Sequence, residues 1–171
     1  MVIVATYAHT NLFARDWRAL ASFYERVLGC IPVPPERDLR GEAIERGSRV
    51  PGATLRRMHL RLPGYGTDGP TLEVFSYNSL ADAPLAVPNR PGFGHIAFVV
   101  PNVAAARDEV LAAGGSLYGD IVTTPEGSRQ VTWTYVRDPE GNLVELQTWS
   151  TSPGTGTSEE VGRPSRGSGG D

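Results

Sequence analysis

The chain holds three histidines among its 171 residues. Two of them, His9 and His95, occupy matching places in a sequence that repeats itself. The stretch HTNLFARDWRALASFYERVLGC from His9 and the stretch HIAFVVPNVAAARDEVLAAGG from His95 align at an offset of 86 residues. Asp16 falls on Asn102, both residue types that cap a helix N-terminus. Leu28-Gly29 falls on Gly114-Gly115, where a helix should stop. Further on, DGPTLEVF from Asp68 and EGNLVELQ from Glu140 align at an offset of 72 residues, matching Gly69 with Gly141 and Glu73 with Glu145. A lone His or Glu on a strand is ordinarily a surface group. Here the repeat pairs two imidazoles and two carboxylates. Such a nitrogen and oxygen set suits a divalent ion such as Ni, Co, Zn, Mn or Fe, with positions left for water or substrate.

Each half must supply elements that aim these groups, and each reads as a strand, a helix, then several strands. Trp17, Leu20, Ala21, Tyr24, Val27 and Leu28 recur at helical spacing after the first histidine, and Val103, Ala106, Val110 and Ala113 do so more weakly after the second. Strands are expected at about 3–13, 54–62, 71–77, 94–100, 116–123, 130–137 and 143–149. In GHIAFVV, Ile96, Phe98 and Val100 share the apolar face, which leaves His95 on the other. Leu72 and Val74 flank Glu73, and Val144 and Leu146 flank Glu145, in the same way. All four polar groups therefore point away from the helix-packed core. They converge in one cavity if the two half-sheets curl toward each other. The His-to-Glu distance is 64 residues in the first half and 50 in the second. The extra residues are assigned to 32–53, with Pro32, Pro34, Pro35 and Pro51, as a loop or short helix over one end of the sheet.

Length and composition set the frame. One domain is expected over 1–150, with halves at about 5–80 and 92–149. A disordered tail is expected over 151–171, where Gly, Pro, Ser and Thr dominate and Val161 is the sole aliphatic. Sixteen basic residues, all Arg, stand against nineteen acidic ones, a net charge of −3. This argues against a nucleic-acid partner, which calls for a basic excess. No apolar run approaches the roughly 18 residues of a membrane span, and MVIVAT at the start lacks the basic flank of a signal peptide. With one cysteine, Cys30, and no export signal, the expected compartment is the cytoplasm. Cys30 itself reads as a small buried hydrophobe.

The quoted blocks, with LEVFSYN and YVRDPEGNLVEL, resemble the vicinal oxygen chelate superfamily over about 5–150. That superfamily includes glyoxalase I, methylmalonyl-CoA epimerase, extradiol dioxygenases, and bleomycin- and fosfomycin-resistance proteins. The resemblance is nearest to the glyoxalase I-like and epimerase-like members. It implies an α+β fold of two tandem βαβββ modules forming a U-shaped mixed sheet around a metal cavity, with ligands His9, Glu73, His95 and Glu145. An acid at position 73 resembles glyoxalase I. A three-ligand set, here His9, His95 and Glu145, resembles the dioxygenases and fosfomycin-resistance proteins. The resemblance also implies a homodimer, in which some members complete each metal site with ligands from both chains.

Each named activity has a departure. Phe13 stands where bacterial-type glyoxalase I tends to carry an Arg that holds glutathione. Gly94 stands where the epimerases tend to carry a second His. Asp68-Gly69-Pro70-Thr71 stands where extradiol dioxygenases tend to carry an acid–base His. The function expected is a metal-dependent lyase or isomerase that removes a proton next to the chelated carbonyl of a small substrate, with Glu145 as first base and Glu73 as second. The rivals are a non-haem Fe(II) extradiol-type dioxygenase and a non-catalytic binding or resistance protein. His59, alternating with Arg57 and Arg61, reads as part of an exposed strand face. Tyr135 reads as a packed, half-buried tyrosine. Arg90, Arg129 and the arginines of 37–49 are available to recognise an anion bidentately, although a solvated surface role is the simpler reading of each.

Overall fold

The helix caps show how the chain turns from strand to helix. Asp16 sits in extended backbone and its side chain accepts hydrogen bonds from the N–H groups of Arg18 and Ala19. Asn102 caps the matching helix by accepting from Ala105 N–H. Gly29 ends the first helix at φ 69°, a left-handed conformation that favours glycine. The computed structural model describes residues 2–152.

Strand β1 (His9–Phe13) leads into helix α1 (Trp17–Leu28), followed by β2 (Ile31–Arg40), a short helix α2 (Glu42–Ser48), β3 (Thr54–Arg61) and β4 (Thr71–Tyr77). The second half follows the same outline, without a counterpart of α2 and with one strand more: β5 (Ile96–Val99), α3 (Val103–Ala112), β6 (Ser116–Leu117), β7 (Val122–Glu126), β8 (Arg129–Arg137) and β9 (Leu143–Thr151). The first half forms a sheet in the order β1-β4-β3-β2, and the second a sheet in the order β5-β9-β8-β6, with β7 also paired to β8. In both sheets the first strand runs parallel to the last, and the other pairings are antiparallel. The fold is α+β and consists of two βαβββ modules, as expected.

Several boundaries depart from the sequence reading. The first strand starts at His9 rather than near residue 3. The stretch expected over 116–123 divides into β6 and the start of β7. The largest correction concerns 32–53: its first part, through Arg40, belongs to β2, while Glu42–Ser48 form the short helix α2, which the sequence reading allowed. Its prolines are tolerated because β2 is an edge strand, where a missing N–H costs no ladder bond. Pairing with β3 breaks between Val33 and Arg37 and resumes beyond, an irregularity that absorbs Pro34 and Pro35. The predicted tail at 151–171 lies outside the described residues except for Thr151, which still belongs to β9, and Ser152.

One buried cluster serves both modules. It joins Trp17, Leu20, Phe23 and Tyr24 of α1 and Leu60, Leu72 and Val74 of the first sheet to Phe98, Val110, Val136, Val144 and Leu146 of the second half. Phe23 belongs to this core although its helical position had not singled it out. Two polar links reinforce the junction. The Tyr24 hydroxyl donates to Asp138 Oδ2 at 3.0 Å in a buried setting. Arg15 donates to Glu140 through its backbone N–H and its guanidinium at 2.7 and 2.6 Å. Asp138 also accepts from the N–H groups of Glu140 and Asn142 and from the Asn142 side chain. The turn that starts β9 is thereby pinned to the first module's helix. Because Leu72, Val74, Val144 and Leu146 face this shared core, Glu73 and Glu145 project from the opposite faces of their sheets.

Candidate functional site

In the first module, β1 and β4 pair with His9 opposite Thr71 and Asn11 opposite Glu73. Glu73 is thus two residues beyond the partner of His9, on the same face, and the His9 Nε2 atom lies 3.2 Å from Glu73 Oε2. In the second module Ala97 pairs with Glu145, so His95, just before β5, has the same diagonal relation to its carboxylate. His95 Nε2 lies 3.1 Å from Glu145 Oε2. The repeat seen in the sequence is a repeat of side-chain geometry.

The structure brings the four expected ligands together two by two. Among the described residues, no group of three or more His, Cys, Asp or Glu side chains gathers as a metal site. The four do not converge within one chain, because the two polar faces both turn away from the core that joins the modules. Within each pair the residues do fit a divalent ion. A neutral imidazole nitrogen and a carboxylate oxygen 3.1–3.2 Å apart are spaced as two neighbouring donors bonded to one cation at about 2.0–2.2 Å.

The surroundings of the two carboxylates differ. Glu73 is 2% exposed and its Oε1 faces the Arg57 guanidinium and, at 2.8 Å, His59 Nε2. His59 also meets Thr71 Oγ1 through Nδ1 at 2.9 Å, and its ring stands edge-on to His9 with centroids 5.6 Å apart. Burial first, then the charges of Arg57, His9 and Arg37, holds the His59 imidazolium below its ordinary pKa. Glu145 is more open, at 16% exposure. The residue opposite it in the ladder is Tyr135, whose hydroxyl lies near enough to feel the carboxylate's charge. Burial and this carboxylate raise the Tyr135 pKa. The Tyr135 ring lies 5.0 Å from the His95 ring.

Two residues of this site were missed in the sequence. His59 was read as part of an exposed face, and Arg57 was passed over. Both occupy the face that carries Glu73, since β3 pairs with β4 with His59 opposite Glu73 and Arg57 opposite Phe75. The signal lay in the alternation of Arg57, His59 and Arg61 against Met58, Leu60 and Leu62. The alternation shows which residues share a face. It does not show which residue of the next strand they stand beside.

Residues 6–146 match the model of the Glyoxalase/Bleomycin resistance protein/Dioxygenase superfamily. The chain belongs to that superfamily, and its paired modules are the superfamily's fold. Among solved structures it is similar to a glyoxalase family protein from Bacillus cereus, at 19% identity over 87% of this chain and 95% of that one, with a TM-score of 0.66. A glyoxalase-related enzyme from Fulvimarina pelagi is similar at 25% identity over 85% and 88% of the two chains, with a TM-score of 0.53. A glyoxalase/bleomycin resistance protein/dioxygenase family enzyme from Burkholderia phytofirmans follows at 16% identity over 84% and 98%, with a TM-score of 0.51. No curated protein matches the sequence. Members of this superfamily commonly bind metal ions.

Proposed function

We propose that this chain is a metal-dependent lyase or isomerase acting on a small carbonyl compound, with each metal site shared between the two chains of a homodimer. The observation that carries the reading is the equal geometry of the His9–Glu73 and His95–Glu145 pairs. Each pair offers half of a four-donor set and projects from a sheet face turned away from the common core. A second copy offers the missing half. β1 and β5 are both edge strands, and Val99 on β5 is 71% exposed. An edge of that kind is ordinarily covered. Placing β1 of one chain beside β5 of another sets His9 and Glu73 against the partner's His95 and Glu145.

A divalent ion held by these four residues would polarise a bound carbonyl and acidify the neighbouring C–H. Glu145 is the proposed base. It is the more open carboxylate, and Tyr135 stands opposite it in the ladder. Glu73 is the weaker candidate, since it is buried and faced by the Arg57 guanidinium. The two imidazoles act as neutral nitrogen donors. Cys30 is free and buried, with its thiol pushed up to about 12 by burial. It takes no part in the chemistry and agrees with a reducing, cytoplasmic setting. No helix of the described residues is long and apolar enough to cross a membrane.

The Arg57–Glu73 contact favours a second reading. A carboxylate neutralised by a guanidinium is a poorer cation ligand. The working set then becomes His9, His95 and Glu145, which suits an Fe(II) dioxygenase of the extradiol type.

The test is calorimetry on metal-free protein titrated with Ni, Co, Zn, Mn and Fe(II). One ion per chain is expected, lost in His95→Ala. Oxygen uptake on catechols by the Fe(II) form would favour the dioxygenase. Absence of binding by every ion would leave a sequestering protein as the better reading. Mixing His9→Ala chains with His95→Ala chains tests the sharing. Random exchange should restore about a quarter of the sites in a twofold dimer, and none if each site lies within one chain.

A further inference from the structure

The polar face of the first sheet carries more positive charge than Glu73 can balance. Arg37 on β2 stands directly opposite Arg57 on β3, so the two side chains leave the sheet on the same face. Arg61 lies on that face as well, two residues beyond His59. The arginines of the opposite face have partners: Arg40 and Arg56 both meet Asp38. Arg18 and Arg46, on the two helices, meet Glu36 and Glu42. Among the described residues no carboxylate lies within ion-pair distance of Arg37 or Arg61, and Arg57 shares Glu73 with two histidines. Like charges directly opposite each other across a ladder are destabilising. Glu73 partners only Arg57 of this pair, and Arg37 has no carboxylate of its own among the described residues. Arg57 Nε is buried without a hydrogen-bond partner. Its guanidinium is held over the Phe75 ring at 5.4 Å, which sets its plane before any ligand arrives.

We infer that Arg37 and Arg57 form an oxyanion subsite beside the Glu73–His9 pair, which binds a carboxylate or phosphate group on the substrate. Two guanidinium groups facing one space can each give paired N–H donors to an oxyanion, the strong form of such contacts. An anion there offsets the Arg37–Arg57 repulsion. The Glu73–His9 pair lies two residues along the ladder, since Arg57 is opposite Phe75 and His59 is opposite Glu73. A small substrate anchored by its acid group would therefore present the adjoining carbons to Glu73 and His9. The link to substrate rests on the function proposed above. The subsite does not, because Arg37 and Arg57 belong to one chain and need no metal.

The experiment uses metal-free full-length protein in chloride buffer, titrated separately with inorganic phosphate and with benzoate. Binding is followed by calorimetry and by the Nε–Hε NMR signal of Arg57. Saturable binding is expected, with the Arg57 signal shifting, and Arg37→Gln should weaken it by about 10-fold or more, the scale of a lost charge-assisted contact. Arg56→Gln removes the same charge from the neighbouring residue on the opposite face and should change affinity less than 2-fold. The tighter of the two probes identifies a phosphoryl or a carboxyl group. No binding of either probe to the wild type, unchanged affinity in Arg37→Gln, or an equal loss in Arg56→Gln would overturn the subsite. Metal titration of the same Arg37→Gln protein separates the two conclusions: the metal site should be intact there, whatever becomes of anion binding.

Discussion

The two modules place a histidine and a glutamate in the same diagonal relation, then surround the glutamate differently. In the first, the residue opposite Glu73 is His59, and Arg57 closes over the carboxylate. In the second, the residue opposite Glu145 is Tyr135, and among the described residues no guanidinium approaches within ion-pair distance. Position for position, His59 corresponds to Tyr135 and Arg57 to Trp133. A repeat can thus preserve a pair of donors while giving them different surroundings: one carboxylate is buried against a guanidinium, the other stands more open beside a phenol. The difference lies in β3 and β8, the strands between, and not in the residues that the repeat makes most visible.

The sharpest test of this comparison exchanges each glutamate for glutamine. Glu145→Gln should lose ~10²-fold or more in the rate of substrate α-proton exchange in D₂O, the scale of general-base loss, with little change in thermal stability. Undiminished exchange in both this variant and Glu73→Gln would remove the carboxylates from the mechanism. Glu73→Gln should be felt chiefly in stability. It leaves Arg57 largely buried without a counter-charge, at a cost of about 1–3 kcal/mol in chemical denaturation. An Arg57→Gln, Glu73→Gln double variant should recover part of that cost. If the single glutamine variants destabilise equally, the two environments do not differ as described.

Smaller effects probe the link between the modules and the phenol. Tyr24→Phe removes one of the four hydrogen bonds to Asp138 and should cost about 1–2 kcal/mol. Burial raises the Asp138 pKa above 3.8, against the pull of its hydrogen bonds. The folded state therefore binds the extra proton more readily than the unfolded chain. The contribution of this group to stability falls as pH rises from 3.8 through the raised folded value. The difference in stability between wild type and Asp138→Asn, followed by denaturation from pH 3 to 7, should show that slope. A slope of opposite sign would mean the hydrogen bonds outweigh burial. Tyr135→Phe should weaken metal binding by about 10-fold, as losses of groups that orient a ligand do. The corresponding His59→Phe is expected to act on stability instead.

Much of this arrangement was legible in the sequence. Asp16, Asn102 and Gly29 marked the helix ends because capping is a local matter. Alternation around Glu73, His95 and Glu145 gave the faces because a strand has a period of two. What stayed hidden depends on how strands stand against one another. Nothing in residues 54–62 says that His59 will lie beside Glu73, because that register is set by the connection through 62–70. The prolines at 32, 34 and 35 suggested a loop, and only the edge position of β2, a property of the whole sheet, makes them tolerable in a strand. Whether the four ligands share one cavity was hidden for a similar reason. Which faces are polar can be read locally, but whether two such faces meet depends on how Tyr24, Phe98 and their neighbours join the modules.

The Tyr24–Asp138 bond has a consequence for synthesis on the ribosome. Its two ends are 114 residues apart, and at about 5–20 residues per second roughly 6–23 s pass between their emergence. During that interval α1 exists without the second module, and Tyr24 lacks both Phe98 and Asp138, its partners in the finished fold. A nascent chain halted near residue 80 should accordingly remain sensitive to protease at α1, and acquire resistance only once the turn at 138–142 has cleared the exit tunnel. The two modules, alike as they are in outline, share one core: the earlier one is finished by the later.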